Sequence, residues 1–361
     1  MNRLVSVRPP GDGLSVSDEI PDDWDCAVPA DQSILRRSWT RLALDRLPGP
    51  PLVFERSGLR LLGAVAEAPS GRPRADAYAI LSGGAASLGL AADGPWPWAA
   101  LPPAAVHPAL VLTMPNYRIS VLGSPAEPAA VSALLTGIGG WRRAQGIRSV
   151  AVLYACDEPG HLLTALRGVG ARVLPLAREC VLDITWRDFD GYLATLPSKR
   201  RVGIRRELRA LSEAGTTVRR IDAEEHLDEL IPLRCQLVAK YGGTPDADKE
   251  RVFFGRLRDT FGAGALTTFA TEHGGRLMSF GLFVRDGDHW TALLTGSDYR
   301  RPQARLGYFA TLFYAPARVA PTLGITAVGY GLGSWQAKTS RGCRTRVLWT
   351  AATVPGEDSA L

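Results

Sequence analysis

Apolar runs of strand length alternate with longer periodic stretches along the chain, and this pattern predicts both strands and helices. In the first half, apolar segments bounded by turn residues predict a series of strands. They cover 51–68 with a central turn, 76–83, 109–123 with a turn at Pro115-Asn116, 149–155 and 171–184. A proline-started stretch that ends near Gln145 predicts a helix ahead of the strand at 149–155.

The second half repeats this order of elements, although the two halves share no residue-level repeat. Its pattern predicts a helix, a strand, a helix pair, three strands joined at Gly274-Gly275 and Asp286-Gly287, a helix and two final strands. The predicted helices cover 187–214, with a break near Pro197, and 223–241, 246–261 and 304–323. The predicted strands cover 216–221, 325–333 and 345–354, and the three connected strands lie between the third and fourth of these helices. The pattern therefore predicts an α+β protein in which each half forms a mixed, mostly antiparallel twisted sheet flanked by helices.

Composition restricts the class of protein further. The chain has 361 residues, 46% hydrophobic and 22% charged, which is typical of globular proteins and long enough for more than one domain. It contains no apolar run of membrane-spanning length, and its start lacks the apolar stretch of a secretory signal. The five cysteines form no CxxC pair, so neither a metal site nor a disulfide framework is expected, and we expect a reduced, cytoplasmic protein.

Positive charge is concentrated in one segment. The net charge is +6, and six basic residues fall between Lys199 and Arg209 with Glu207 as the only acid. At helical spacing, Ile204, Leu208 and Leu211 share an apolar face opposite a basic one. The basic side chains are Lys199, Arg200, Arg201, Arg205, Arg206 and Arg209. This stripe is either a solvated surface or a phosphate-binding face, and it cannot by itself distinguish tRNA from a diphosphate.

The last third carries glycine clusters at two predicted strand ends, where backbone can approach a ligand closely. These are Gly296-Ser297-Asp298-Tyr299 and the stretch "GYGLGSWQAKTSRG" at 329–342. Together with the basic segment after "DGYLATLPS", they resemble the GCN5-related N-acyltransferase (GNAT) superfamily, and within it the Fem-type (FemABX-like) aminoacyltransferases. The resemblance implies tandem GNAT-like domains, with an extended lead-in at 1–30, a first domain at 31–186 and a catalytic domain at 187–361.

The resemblance also implies the reaction, which is transfer of an acyl group from a carrier to an amine. The carrier is acyl-CoA in most branches and aminoacyl-tRNA in the Fem-type branch, with no tightly bound cofactor. The pyrophosphate loop of CoA users corresponds here to 304–309, where only Gly307 fits the pattern. That departure favours charged tRNA as donor. The chain also lacks the long coiled-coil arm of cell-wall Fem enzymes, which favours a small amine metabolite as acceptor, as in natural-product biosynthesis. An acyl-CoA N-acyltransferase and a non-catalytic RNA-binding module remain the alternatives.

Aminolysis of an activated carbonyl needs alignment, proton removal and an oxyanion site, and the residues that could supply these follow from the resemblance. Backbone N–H groups from Gly331 to Ser334 are expected at the oxyanion. Catalytic roles fall to Lys338, to Asp298, which could instead cap a turn, and to Tyr299. Arg341 is expected to bind phosphate. The predicted acceptor pocket comprises Tyr308, Tyr330, Gly333, Ser334 and Trp335, although core packing is the alternative for the tyrosines.

Overall fold

The structure is a computed structural model, and it describes residues 13–29, 32–72, 74–83, 96–124, 127–156, 161–302, 304–357 and 359–361. Its contacts divide the chain into two compact units, Met1–Arg178 with Val347–Leu361 and Glu179–Arg346. The predicted domain limits differ from this division at both ends of the second unit. Residues 1–12 of the predicted lead-in lie outside the described residues, whereas residues 24–27 of the lead-in form a 3-10 helix.

The first unit is built on a mostly antiparallel sheet. Neighbouring strands pair in the order β1-β2-β3-β4-β5-β12, with β4 and β5 parallel and the other pairs antiparallel. The strands are β1 (Ser15–Ser17), β2 (Leu52–Arg56), β3 (Leu59–Ala66), β4 (Ala109–Leu112), β5 (Ser149–Cys156) and β12 (Arg344–Ala352), of which 348–352 pair with β5. The α-helices are α1 (Arg37–Leu42), α2 (Ala77–Leu81), α3 (Pro103–Val106), α4 (Pro128–Ala144) and α5 (His161–Gly168).

Two of the strands predicted in the first unit differ from the structure: one is a helix, and the other is shorter than predicted. The segment 76–83, predicted as a strand, contains helix α2 (Ala77–Leu81), because the Asp76 carboxylate accepts a hydrogen bond from the Ala79 amide and caps the first turn. The strand predicted at 109–123 ends at Leu112, and instead of a hairpin Ile119 forms a parallel bridge with Ala155. The predicted hairpin at 51–68, the helix ending near Gln145 and the buried strand at 149–155 are confirmed.

The second unit follows the same plan. Its sheet has the order β6-β11-β10-β9-β8-β7, with β10 and β11 parallel and the other pairs antiparallel. The strands are β6 (Arg172–Asp183), whose residues 180–183 pair with β11, β7 (Thr217–Ile221), β8 (Leu266–His273), β9 (Arg276–Asp286), β10 (His289–Ser297) and β11 (Ala327–Gly331). The α-helices are α6 (Phe189–Ala194), α7 (Ser198–Glu213), α8 (Leu227–Lys240), α9 (Ala247–Phe261), α10 (Ala304–Phe309), α11 (Ala315–Val319) and α12 (Trp335–Thr339).

A π-helix at Ala310–Tyr314 joins α10 to α11, so the helix predicted at 304–323 is continuous but widened in its middle. π-Helical turns are rare and concentrate at functional sites. The helix ends at Gly324, which adopts the left-handed conformation at φ 67° that favours glycine after a helix.

The core of the second unit lies between its sheet and these helices. Phe269, Phe283 and Trp290 from the sheet pack with Ile204 of α7 and Ala317 of α11, all fully buried. Burial of a large apolar side chain stabilises a fold by about 1.5–3 kcal/mol, so this layer fixes α7 and α11 against the strands. None of the helices in the described part of the chain is long and apolar enough to cross a membrane.

Candidate active site

The parallel strands β10 and β11 diverge at their carboxyl ends. Their ladder joins His289 with Ala327, Trp290 with Val328 and Thr291 with Gly329, whereas β10 itself continues to Ser297. A β-bulge interrupts the β9–β10 register between Ala292 and Leu294, just after the parallel pairing, and another interrupts β6–β11 between Gly329 and Gly331. Bulges bend strands and redirect their groups, and they are frequent beside active sites. Both bulges therefore lie close to the point where β10 and β11 separate, beside the glycine-rich end of β11.

The backbone after β11 turns through left-handed conformations. Gly331, Gly333 and Ser334 have φ values of 58°, 78° and 48°. Glycine adopts such values without strain, whereas a serine does so at a cost of about 1–2 kcal/mol. The exposed Ser334 is therefore held in a strained conformation at the start of α12. Strain of this kind concentrates at functional sites.

Lys338 of α12 holds this turn in place. Its ammonium donates to the carbonyl oxygens of Tyr330, Gly331 and Leu332 at 2.7, 3.2 and 2.9 Å, and the residue is only 9% exposed. An ammonium has three donors, and these contacts engage all of them. Lys338 therefore orders the backbone at the strand end and brings a positive charge close to it.

Asp298 and Tyr299 lie at the end of β10. The Asp298 carboxylate accepts hydrogen bonds from the Arg300 side chain at 2.8 Å and the Arg300 amide at 3.3 Å. The hydrogen bond from Arg300 lowers the pKa of Asp298, which keeps this buried carboxylate ionised and makes it a weak base. Burial raises the pKa of Tyr299 to about 12, so its phenol stays protonated and can donate a hydrogen bond. The Lys240 ammonium lies 3.8 Å from the centre of the Tyr299 ring.

Tyr308 lies between this strand end and the segment after β11. Burial raises the pKa of its phenol, nearby Tyr241 and Tyr299 raise it further, and Arg341 opposes them. The guanidinium of Arg341 lies 3.3 Å from the centre of the neighbouring Phe309 ring. The structure thus brings together Tyr299, Tyr308 and Arg341, which are far apart in sequence.

The predicted acceptor-pocket residues do not share one environment. Tyr330 is 7% exposed, its ring stacks on Phe313 at 4.4 Å and its hydroxyl donates to the Leu312 carbonyl, so its side chain is part of the core. This placement argues against contact between Tyr330 and an acceptor. Trp335 is half-buried against the same core, and Gly333 adjoins it in the left-handed turn.

Glu207 organises the buried side of the basic helix α7, a role that the sequence analysis missed. Its carboxylate pairs with Arg200 at 3.1 Å and with Arg341 at 3.7 Å, and it accepts a hydrogen bond from the Tyr314 hydroxyl. Tyr314 in turn accepts from Arg200 at 3.0 Å and from Arg341 at 3.3 Å. We call Arg200, Glu207, Tyr314 and Arg341 the Glu207 cluster. Arg341 is 4% exposed, so this predicted phosphate-binding residue lies inside a network in which two guanidinium groups share one carboxylate, rather than on the surface.

The other cations of the basic segment face solvent. Lys199, Arg206 and Arg209 are exposed, and within the described residues their side chains have no carboxylate at ion-pair distance. Arg205 pairs with Asp190 at 3.3 Å, but both side chains are more than half exposed, and such pairs contribute little. Arg201 is half-buried and donates to the Leu196 carbonyl at 2.9 Å. We call Lys199, Arg205, Arg206 and Arg209 the exposed basic face.

Comparisons with known proteins relate this geometry to a reaction. Residues 198–339 match the family model of the acetyltransferase (GNAT) domain, a range that contains the diverging strands, the Glu207 cluster except Arg341, and the exposed basic face. FemX is similar in structure, with 12% identity, 87% of this chain and 90% of FemX covered, and a TM-score of 0.54. No curated protein sequence matches the chain significantly.

Further solved structures are similar at the same low identity. A conserved protein of unknown function from Bacteroides thetaiotaomicron is 12% identical, with 94% of this chain and 99% of that protein covered and a TM-score of 0.55. A tandem GNAT protein from the clavulanic acid biosynthesis pathway is 12% identical, with 85% of this chain and 83% of that protein covered and a TM-score of 0.46.

The diverging parallel strands and the family match together define an enzyme that transfers acyl groups. More specifically, residues 198–339 form a GNAT-type acyltransferase domain, so the predicted GNAT-type N-acyltransferase is confirmed over this part of the chain. The likeness to FemX shows a common fold. The predicted fold class is confirmed as well: each unit has a mixed, mostly antiparallel sheet flanked by helices, and the likeness to the fold of FemX extends over 87% of the chain.

Proposed function

We propose that this protein forms an amide bond by transferring an aminoacyl group from aminoacyl-tRNA to the amine of a small metabolite, as in natural-product biosynthesis. The observation that carries the proposal is the exposed basic face of α7: within the described residues Lys199, Arg206 and Arg209 have no carboxylate at ion-pair distance, whereas the partly buried Arg200 of the same helix pairs with Glu207. Arginine forks suit phosphate oxygens, and a row of them along a helix suits a polyanion better than a single diphosphate.

The segment expected to bind the pyrophosphate of CoA gives little support to that donor. Gly307 is its only residue that fits the motif, and a Cβ there would lie 2.6 Å from Ser279 Oγ and 2.9 Å from Thr271 Oγ1. Gly307 is therefore needed so that the helix can pack on β8 and β9. Its presence is explained without a bound phosphate, which favours the tRNA donor.

The proposed chemistry takes place where β10 and β11 diverge. The acceptor amine attacks the ester carbonyl carbon of the aminoacyl group, the C–N bond forms, and the ester C–O bond then breaks to release the ribose oxygen. Backbone N–H groups of the turn from Gly331 to Ser334 stabilise the oxyanion, and Lys338 orders that turn. The proton lost by the amine ends on the leaving ribose oxygen, which the protonated Tyr299 phenol can assist as donor. The ionised Asp298 orients the amine.

The size of the second unit supports a small acceptor. Helices α8 and α9 have 14 and 15 residues and are joined by a short turn, so this part of the unit carries no long helical arm among residues 222–262. A metabolite can enter the opening at the strand ends without such an arm.

An acyl-CoA-dependent N-acyltransferase is the second candidate, because the matching family model is that of an acetyltransferase domain. The donor experiment separates the two. Purified protein is incubated with a panel of amines and either a mixture of charged tRNAs or acetyl-CoA, each with and without ribonuclease, and amide products are detected by mass spectrometry. We expect product only with intact charged tRNA. Product from acetyl-CoA after ribonuclease treatment would refute the proposal and establish the second candidate.

Charge reversal on the exposed basic face tests the observation that carries the proposal. We expect Arg206→Glu and Arg209→Glu each to raise the KM for charged tRNA with little change in kcat, and to reduce the slope of log KM against log salt by about 0.9. Arg276→Glu, the same change at an exposed site on β9, is the matched control and should have a small effect. Equal wild-type KM values at low and high salt would contradict this role for α7.

A further inference from the structure

A small pocket beside the exposed basic face has no part in the chemistry described above. It has a volume of about 190 Å³ and lies between α7, the edge strand β7, strand β8 and the helix that follows the π-helical turn. Leu208, Phe269, Tyr314 and Val319 form apolar or aromatic walls. Tyr314 also belongs to the Glu207 cluster, so the pocket adjoins the network that fixes α7.

The dimensions and walls of the pocket suit one planar ring system. An apolar cavity of about 150 Å³ accommodates benzene, so about 190 Å³ is enough for a single heterocyclic base and too little for a whole cofactor. Leu208 and Val319 are partly exposed and give such a ring apolar contacts, whereas Phe269 and Tyr314, each 2% exposed, close the inner side of the pocket.

Three arginines surround the opening, and they indicate an anionic ligand. They are Arg219, Arg220 and Arg318. Arg219 pairs with Glu272 at 2.8 Å and the Arg318 guanidinium lies 4.7 Å from the centre of the Phe189 ring. Within the described residues no carboxylate lies at ion-pair distance from Arg220 or Arg318. A neutral aromatic metabolite would leave these charges without a counterion.

The pocket is also adjacent to the exposed basic face. Leu208 contributes to its wall from α7, and Arg205 lies three residues earlier on the same helix, which places it beside Leu208 on the helix surface. A single-stranded RNA whose phosphates follow α7 would therefore place a neighbouring base at the pocket.

We propose that this pocket binds one unstacked base of the RNA donor, while Arg220 and Arg318 contact the phosphates on either side of that base; the inference rests on the proposed function. Proteins that bind single-stranded RNA take up unstacked bases in pockets and hold the backbone with cations. The ring fills the apolar volume and the flanking phosphates compensate the uncompensated arginines. The pocket thereby adds a second, base-dependent contact to the purely electrostatic contact of α7.

The test measures binding of fluorescent RNA probes to the full chain by anisotropy. The probes are a short single-stranded RNA ending in CCA, the same RNA with an abasic site at each position in turn, and a blunt RNA duplex. The variant Val319→Trp fills the pocket, and Val252→Trp, at a valine of α9 that is 62% exposed, is the matched control. We expect Val319→Trp to weaken binding of the single strand about 10-fold with an unchanged salt slope, because the base loses its apolar burial while all the arginines remain. Duplex binding should not change.

The abasic series decides the question even if Val319→Trp does not fold. With wild-type protein, an abasic site at one position should weaken RNA binding about as much as Val319→Trp does with the intact strand. For that abasic RNA, Val319→Trp should cause no further loss of binding. A flat abasic series, or equal binding by the two tryptophan variants, would overturn the inference. If the series is flat while product formation stays ribonuclease-sensitive, only the base pocket is refuted. If no RNA probe binds and acetyl-CoA is the donor, the proposed function is refuted as well.

Discussion

Removal of the charge of Glu207 tests whether the Glu207 cluster fixes α7 to the catalytic unit. The variant Glu207→Gln keeps an acceptor for the Tyr314 hydroxyl but leaves Arg200 and Arg341 without a counterion. The side chains of Arg341, Glu207 and Arg200 are 5%, 20% and 23% exposed, so the charges are largely removed from water. Loss of one member of a fully buried pair costs about 3–5 kcal/mol.

The expected cost for this cluster is lower. At 3.7 Å, the attraction between Glu207 and Arg341 is about 4 kcal/mol at an effective dielectric constant of 20, before rehydration is considered. Arg341 also keeps hydrogen bonds to the Ala337 carbonyl at 2.9 Å and to the Ser340 hydroxyl at 3.3 Å. We therefore expect Glu207→Gln to lower the free energy of unfolding by about 2 kcal/mol, and the Tm of the second unit by about 4–8 °C.

Calorimetry and tryptophan fluorescence during thermal unfolding measure this effect. Glu213→Gln, at an exposed acid on the same helix, is the matched control and should change stability by no more than about 0.5 kcal/mol. In a double-mutant cycle, Arg341→Met should cost much less in the Glu207→Gln background than in wild type. Equal Tm values for wild type and Glu207→Gln, or strictly additive effects in the cycle, would show that the cluster is electrostatically unimportant.

Two further predictions concern the strand ends. Lys338→Met leaves three backbone carbonyls without their donor, so we expect the free energy of unfolding to fall by about 1–3 kcal/mol. We also expect kcat to fall by a larger factor than KM rises. An unchanged kcat in steady-state kinetics would contradict this role of Lys338. The hydrogen bond from Arg300 lowers the pKa of Asp298 in the folded protein. The interaction therefore stabilises the fold above the pKa of an unfolded aspartate, about 4, and this stabilisation is lost as the pH falls through the folded-state pKa. The difference in urea midpoint between wild type and Asp298→Asn should therefore shrink from pH 7 to pH 3, and an equal difference at both would refute the ion pair.

Most helices and strands of the fold could be predicted from local sequence patterns. Turn pairs such as Gly274-Gly275 fix a hairpin within a few residues, and proline and glycine mark helix ends, so the order of elements in the second unit is confirmed. The helix predicted as a strand at 76–83 shows the limit of periodicity in short apolar runs, since one capping contact from Asp76 decides between the two.

The site was less predictable because its contacts are distant in sequence. Arg200 and Arg341 read as free cations, yet each contacts Tyr314, which is 114 and 27 residues away respectively. No local pattern reveals such partners. Glu207 was visible as the only acid in a basic segment, and that isolation is the one signal that could have indicated its role as a counterion. The bulge at Ala292/Leu294 depends on how the neighbouring strand pairs and left no mark in composition.

The division of the basic segment into paired and unpaired cations has a consequence for binding. Arg200 and Arg341 fix α7 through Glu207, so the helix presents Lys199, Arg206 and Arg209 from a position that is set before any ligand arrives. A preorganised cationic surface loses less conformational entropy on binding than a flexible one. Loss of Glu207 should therefore weaken the donor through the orientation of α7 even though Glu207 touches no donor, and it should leave the number of phosphate contacts, and hence the salt slope, almost unchanged. Charge reversal at Arg206 should do the opposite and reduce the slope while stability is kept. These two patterns separate the residues that position the basic face from the residues that bind the phosphates.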